Sequence, residues 1–117
     1  MLGDIYSLRG KKDFDKVKNA GTLYQSQNFG VSILKRGDNS NPRFGLIIST
    51  KVSKLSSQRN RIRRAFRGAV RFNLKRIKGG YDIVFLAKPT LERIPVDDIM
   101  HEVDAFVRRA EFFIKES

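Results

Sequence analysis

Arg59-Asn60-Arg61-Ile62-Arg63-Arg64-Ala65-Phe66-Arg67 places five arginines within nine residues. The chemistry open to such a run is phosphate binding, because the planar guanidinium grips phosphate oxygens in pairs and stacks on bases. The run also carries apolar spacing. Extended to Ile77, the residues Ile62, Phe66, Ala69, Val70, Asn73, Leu74 and Ile77 fall on one arc at 3.6 residues per turn. Arg61, Arg63, Arg64, Arg67, Arg71, Lys75 and Lys78 fall opposite. Arg59 and Arg76 lie at the edge or end of the apolar side. The pattern predicts a packed helix running to Gly79-Gly80, with a cationic face.

Hydrolytic chemistry is a different matter. A protein nuclease needs clustered carboxylates to hold metal ions, or a histidine placed for proton transfer. The only histidine, His101, falls opposite the apolar stripe of its own helix. Asp97, Asp98, Glu102 and Asp104 read as helix-surface charges, and no glycine-rich phosphate loop is present. No catalytic residue and no protein metal ligand is assigned.

Charge distribution supports a polyanion partner. From Asn39 to Tyr81 stand twelve Lys and Arg and no Asp or Glu, while the other 74 residues hold twelve of each sign. The whole net charge of +12 therefore sits in one segment. Solvated helix faces usually alternate sign, since like charges one turn apart repel, so a one-sign face points to nucleic acid. At 117 residues with 40% apolar content and nine phenylalanines, residues 1–117 form one domain with a real core. There is no cysteine. No apolar run nears the roughly 18 residues of a membrane span and no signal segment is evident, so a soluble cytoplasmic protein is expected.

The elements that must position the arginines follow in order. Lys11–Asn19 reads as a short helix with Phe14 and Val17 inward and Gly21 as its stop. Asn28–Arg36 and Arg43–Thr50 alternate as strands and are expected to form an antiparallel hairpin across the turn Gly37–Pro42. Gly30, Ser32, Gly45 and Ser49 suggest a sheet face open to a bound chain. Ser56 or Ser57 is the expected cap of the arginine helix. Asp82–Lys88 is an unbroken apolar run, as in a strand buried on both faces. A last helix from Pro95 carries Ile99, Val103, Phe106, Ala110 and Phe113 as its stripe. The fold class is α+β, a small mixed sheet with elements in the order α-β-β-(β)-α-β-α.

Arg59-Asn60-Arg61, with Arg63, Arg64 and Arg67 following, resembles the signature of the bacterial ribonuclease P protein subunit. Lys12-Asp13-Phe14, the strand Phe44–Lys51 and the strand Tyr81–Lys88 resemble further motifs of that family, in the right order and across most of the chain. The resemblance implies an α/β sandwich of ribosomal-protein type with a left-handed crossover. It implies a non-catalytic subunit of a ribonucleoprotein endoribonuclease, whose catalytic RNA removes the 5′ leader of precursor tRNA using Mg2+ bound mainly by the RNA. Lys51, Lys54, Arg59, Asn60, Arg61, Arg63, Arg64, Arg67 and Arg71 are the implied RNA contacts, some of them near the metal ions. Phe14, Lys18, Gly30 and Ser32 are the implied cleft for the single-stranded leader. Lys18 and Ser32 stand where the family commonly carries aromatics, so charge replaces stacking there. The competing readings are a ribosomal-type RNA-binding protein or RNA chaperone, and a DNA-binding regulator. The latter lacks a helix-turn-helix, because residues 43–57 read as strand and loop.

Overall fold

The computed structural model describes residues 6–116, with side chains through Ala110. Its elements are α1 (Gly10–Ala20), β1 (Thr22–Gln25), β2 (Phe29–Lys35), β3 (Arg43–Ile47), α2 (Ser56–Phe72), β4 (Tyr81–Ala87) and α3 (Val96–Glu116), with short 3-10 turns at Leu74–Arg76 and Pro89–Arg93. The four strands form one sheet in the order β1-β2-β4-β3.

The run Ile83-Val84-Phe85-Leu86-Ala87 dictates this order. A strand apolar on both faces needs cover on both, and the centre of a sheet supplies it. β4 accordingly lies between β2, antiparallel to it, and β3, parallel to it. The expected hairpin of β2 with β3 therefore does not form. Both strands are neighbours of β4 instead, and the segment Gly37–Pro42 spans the end of β4. There the Gly80 amide donates to the Ser40 carbonyl at 2.7 Å, and the Arg36 amide to the Gly80 carbonyl at 2.7 Å. The optional fourth strand is β1, which pairs antiparallel with β2 at the sheet edge.

Alternation along β4 sends Val84 to one face and Ile83 and Phe85 to the other. Val84 meets Val17 of α1 and Leu8 just before that helix, with Phe14, Ile47 and Leu86 packed alongside. Ile83 and Phe85 meet α2 and α3 in the larger core, which also holds Phe29, Ile62, Phe66, Val70, Ile99, Val103 and Phe106. Phe66 sets the rotation of α2, because its ring lies 5.3 Å from Phe29 and 5.2 Å from Phe85. Removing a ring so placed costs about 3–5 kcal/mol. With Phe66 pointing at the sheet, the residues opposite it must point to solvent.

Two helix ends depart from expectation. Leu55 is the N-cap residue of α2 and no side chain caps the helix, so neither Ser56 nor Ser57 serves. The C-terminus comes at Phe72 and not at the glycines. The buried Asn73 folds back to donate from Nδ2 to the Ala69 carbonyl at 2.8 Å, and a 3-10 turn follows. An asparagine bonding its own backbone competes with continued helix. Gly21 does stop α1, in an extended conformation. A Cβ there would meet the Val17 carbonyl oxygen at 2.5 Å and Ser32 Oγ at 2.7 Å, so close approach, not a left-handed turn, demands glycine.

Candidate nucleic-acid interface

With α2 fixed through Phe66, residues three and four apart line up on its outer side. Asn60, Arg64, Arg67 and Arg71 form that row, and all four are exposed. The row from Arg64 to Arg71 spans about 10 Å at the helical rise. Arg64, Arg67 and Arg71 have no hydrogen-bond or carboxylate partner among the described residues. Arg63 is half-buried on the flank and donates from Nη1 to Asn60 Oδ1 at 3.0 Å.

Arg59 and Arg61 are placed differently. Arg61, expected on the cationic face, is half-buried on the other flank. Its Nε donates to Gln58 Oε1 at 2.9 Å, Nη1 to the Ile94 carbonyl at 3.0 Å and Nη2 to the Glu92 carbonyl at 3.1 Å. Arg59 donates from Nη1 to the Ser53 carbonyl at 2.8 Å. That carbonyl lies in the connection before α2, where Val52 and Ser53 are buried while Lys51 and Lys54 are exposed. The first turn of α2 holds no acid, so its unpaired amides add partial positive charge beside Lys51 and Lys54.

The residues expected to form a leader cleft are not all brought together. Ser32 is 2% exposed, and its hydroxyl donates to the Val17 carbonyl at 2.8 Å beneath α1. Gly30 is buried too, under Leu23 and Gln25 of β1. The small residues of β2 thus let neighbouring elements close down, and the open face expected there is covered. Lys18 is exposed on α1. Phe14 is half-buried with its ring over Gly45, where a Cβ would run into the ring at Phe14 Cε1. Phe14, Leu8 and Gly45 line a cleft of about 330 Å³ whose other wall carries Arg63, Phe66 and Arg67. Sequence reasoning missed this junction of α1 with the arginine helix. The available signal was Gly45, a side-chain-free site in a strand facing an aromatic helix residue.

Elsewhere basic groups are neutralised. Asp82 is 4% exposed and takes Arg36 Nη1 at 2.6 Å, with Arg43 Nε at 2.9 Å and Nη2 at 2.8 Å. Burial pushes its carboxyl up, but the two guanidiniums outweigh burial and hold it below the usual carboxylate range. Glu102 of α3 accepts from Ser26 Oγ at 2.6 Å, from the Asn28 amide at 2.8 Å and from Asn28 Nδ2 at 2.7 Å. Burial raises its pKa, and these hydrogen bonds, with Lys88 nearby, bring the net shift below its ordinary value. His101 is exposed. Among the described residues, no three His, Asp or Glu side chains stand together as a metal-binding set, and no helix is long and apolar enough to cross a membrane.

The sheet, the helix laid on it and the free arginine row define a small α+β domain of the nucleic-acid-binding class. The Ribonuclease P family model matches residues 2–111. The ribonuclease P protein component of Clostridioides difficile is 34% identical over 108 residues, covering 92% of this chain and 93% of that protein. That of Clostridium botulinum is 33% identical over 107 residues, covering 91% and 95%. The RNase P protein of Staphylococcus aureus superposes with a TM-score of 0.83 at 21% identity, over 90% of this chain and 94% of that one. The Thermotoga maritima protein gives 0.76 at 26%, over 88% and 96%. The chain belongs to the ribonuclease P protein family, the protein component of a ribonucleoprotein endoribonuclease that processes tRNA 5′ ends.

Proposed function

We propose that this chain acts as one RNA-binding domain on two RNAs at once, the catalytic RNA of ribonuclease P and the 5′ leader of precursor tRNA. The observation that carries the reading is the row Arg64–Arg67–Arg71, three exposed guanidiniums without polar partners among the described residues, in a segment lacking acids. Lys51 and Lys54 lengthen that surface, and Asn60 and Arg63 border it. Phe14 and Lys18 on α1 face the leader, with Lys18 gripping backbone phosphate. Gly30 and Ser32 serve by letting α1 and β1 close on β2, not by touching RNA. Binding neutralises phosphates where catalytic RNA and substrate meet, and so replaces counter-ions that would otherwise be needed to hold two polyanions together. Mg2+ supplies the hydrolytic chemistry and is held mainly by RNA phosphates. The setting is the cytoplasm.

The test is multiple-turnover cleavage of a precursor tRNA at low magnesium by a bacterial ribonuclease P RNA, with and without the protein. Wild type should stimulate cleavage and Arg64→Ala/Arg67→Ala should not. Lys18→Ala should weaken binding of substrates with a leader more than of substrates without one. Binding of RNA with no stimulation by wild type would overturn the reading in favour of a general RNA-binding or chaperone role.

A further inference from the structure

The arginines of the signature differ in what their guanidiniums bind. Arg64, Arg67 and Arg71 have no polar partner among the described residues. Arg61 has each of its three nitrogens engaged, two of them on carbonyls of the β4–α3 connection. That connection runs over the buried Leu91 and displays Arg93, which is exposed and has no partner among the described residues. Arg59 makes the corresponding bond on the other side, to Ser53, beside the exposed Lys54. A guanidinium is suited to this because its rigid fork bonds separate carbonyls from separate nitrogens, whereas a lysine ammonium offers rotatable donors from a single nitrogen.

We infer that Arg61 and Arg59 are positioning residues, and that Arg93 is a further RNA-binding residue. Arg61 holds the 89–94 connection against α2 so that Arg93 extends the arginine row on one flank. Arg59 holds the 51–55 connection so that Lys54 extends it on the other. The signature thus divides into a pair that shapes the surface and a row that meets phosphate. This assignment rests on the RNA-binding role proposed above and changes which residues carry it.

Salt dependence separates the two roles. Deleting a side chain that binds phosphate makes the slope of log K against log salt shallower by roughly 0.7–0.9, whereas deleting one that neither binds phosphate nor positions a residue that does leaves it unchanged. The protein is titrated with a bacterial ribonuclease P RNA across a salt series. Arg64→Ala and Arg93→Ala should each make the slope shallower by roughly 0.7–0.9. Arg61→Ala and Arg61→Lys should weaken binding several-fold and make the slope shallower by no more than Arg93→Ala does, because the contact they lose is that of Arg93. The contribution of Arg93 should also shrink in their background, so that the double variant is less than additive. Arg59→Ala should do the same to Lys54. Arg61→Lys keeps charge and stem, and gives a folded variant if alanine does not.

An Arg61→Ala/Arg93→Ala slope shallower than that of Arg93→Ala by a further roughly 0.7–0.9 would make Arg61 a phosphate ligand and overturn the assignment. An Arg93→Ala slope equal to wild type would overturn it as well. So would an Arg93→Ala loss of equal size with and without Arg61, since Arg61 would then serve the fold alone. Failure of the wild type to bind the RNA would instead defeat the functional reading on which the inference rests.

Discussion

Two arginine-rich regions of this molecule stand in contrast. At the start of β4, Arg36 and Arg43 converge on the buried Asp82, and Arg36 also binds Asp38 and the Ser40 and Asn41 carbonyls. On α2, Arg59, Arg61 and Arg63 find only carbonyls and amides, and Arg64, Arg67 and Arg71 find no polar partner among the described residues. The same side chain is structural where a carboxylate or a backbone carbonyl meets it and available where neither does. Carboxylates are withheld from the whole segment 39–81. The cost is self-repulsion along α2, which the packing of Phe66 and Ile62 must offset.

The largest effect should come from removing the carboxylate. Asp82→Asn leaves two guanidiniums around a neutral amide, and breaking such a pair costs about 3–5 kcal/mol. Arg43 is 35% exposed, and water screening there brings the expected loss to about 3 kcal/mol. Urea denaturation measures it, and a loss under about 1 kcal/mol would erase the contrast between the two regions. Acid should weaken the same structure. Asp82 and Glu102 both have folded pKa values below their ordinary ones. Their contribution is therefore complete above the unfolded carboxylate pKa, near about 4, and is lost as pH falls through the folded values. The thermal midpoint should drop as pH is lowered from about 5 towards about 3, and Glu102→Gln should make that drop shallower. A midpoint flat over this range would contradict the assignment.

A smaller effect tests the junction of α1 with the sheet. Gly45→Ala places a methyl group where the Phe14 ring lies. The half-exposed ring can swing away, so the expected cost is about 1 kcal/mol, the low end for overpacking. Phe14→Ala should then cost less in the Gly45→Ala background than alone, a coupling that a double-mutant cycle in denaturant would show. Additivity would mean the ring is not held there.

Both the fold class and the arginine face are legible in the sequence because each rests on periodicity. The unbroken run Ile83–Ala87 reveals a strand covered on both faces, and the stripe Ile62–Phe66–Ala69–Val70 reveals the buried side of α2. Strand neighbours are not legible. β2 and β3 follow each other with a turn between them, and nothing local says that β4 enters from 34 residues further on to separate them. The end of α2 escapes periodicity for a related reason, since Asn73 satisfies both the helical spacing and its own backbone bond. The signature arginines alternate in role through partners on distant segments, Ile94 and Glu92 for Arg61 and Ser53 for Arg59. No spacing rule could sort them.

The smallest stability effect should accompany a plain loss of binding. Arg64→Ala removes an exposed side chain with no polar partner among the described residues, so its unfolding free energy should stay within about 0.5 kcal/mol of wild type. It also relieves like charge one turn from Arg67 and next to Arg63, so any change should be towards greater stability at low ionic strength. Adding salt screens that repulsion, and the difference between variant and wild type in denaturation should then close. A destabilised Arg64→Ala would mean that the row carries structural partners after all, and the distinction between paired and withheld arginines would then fail at its most exposed member.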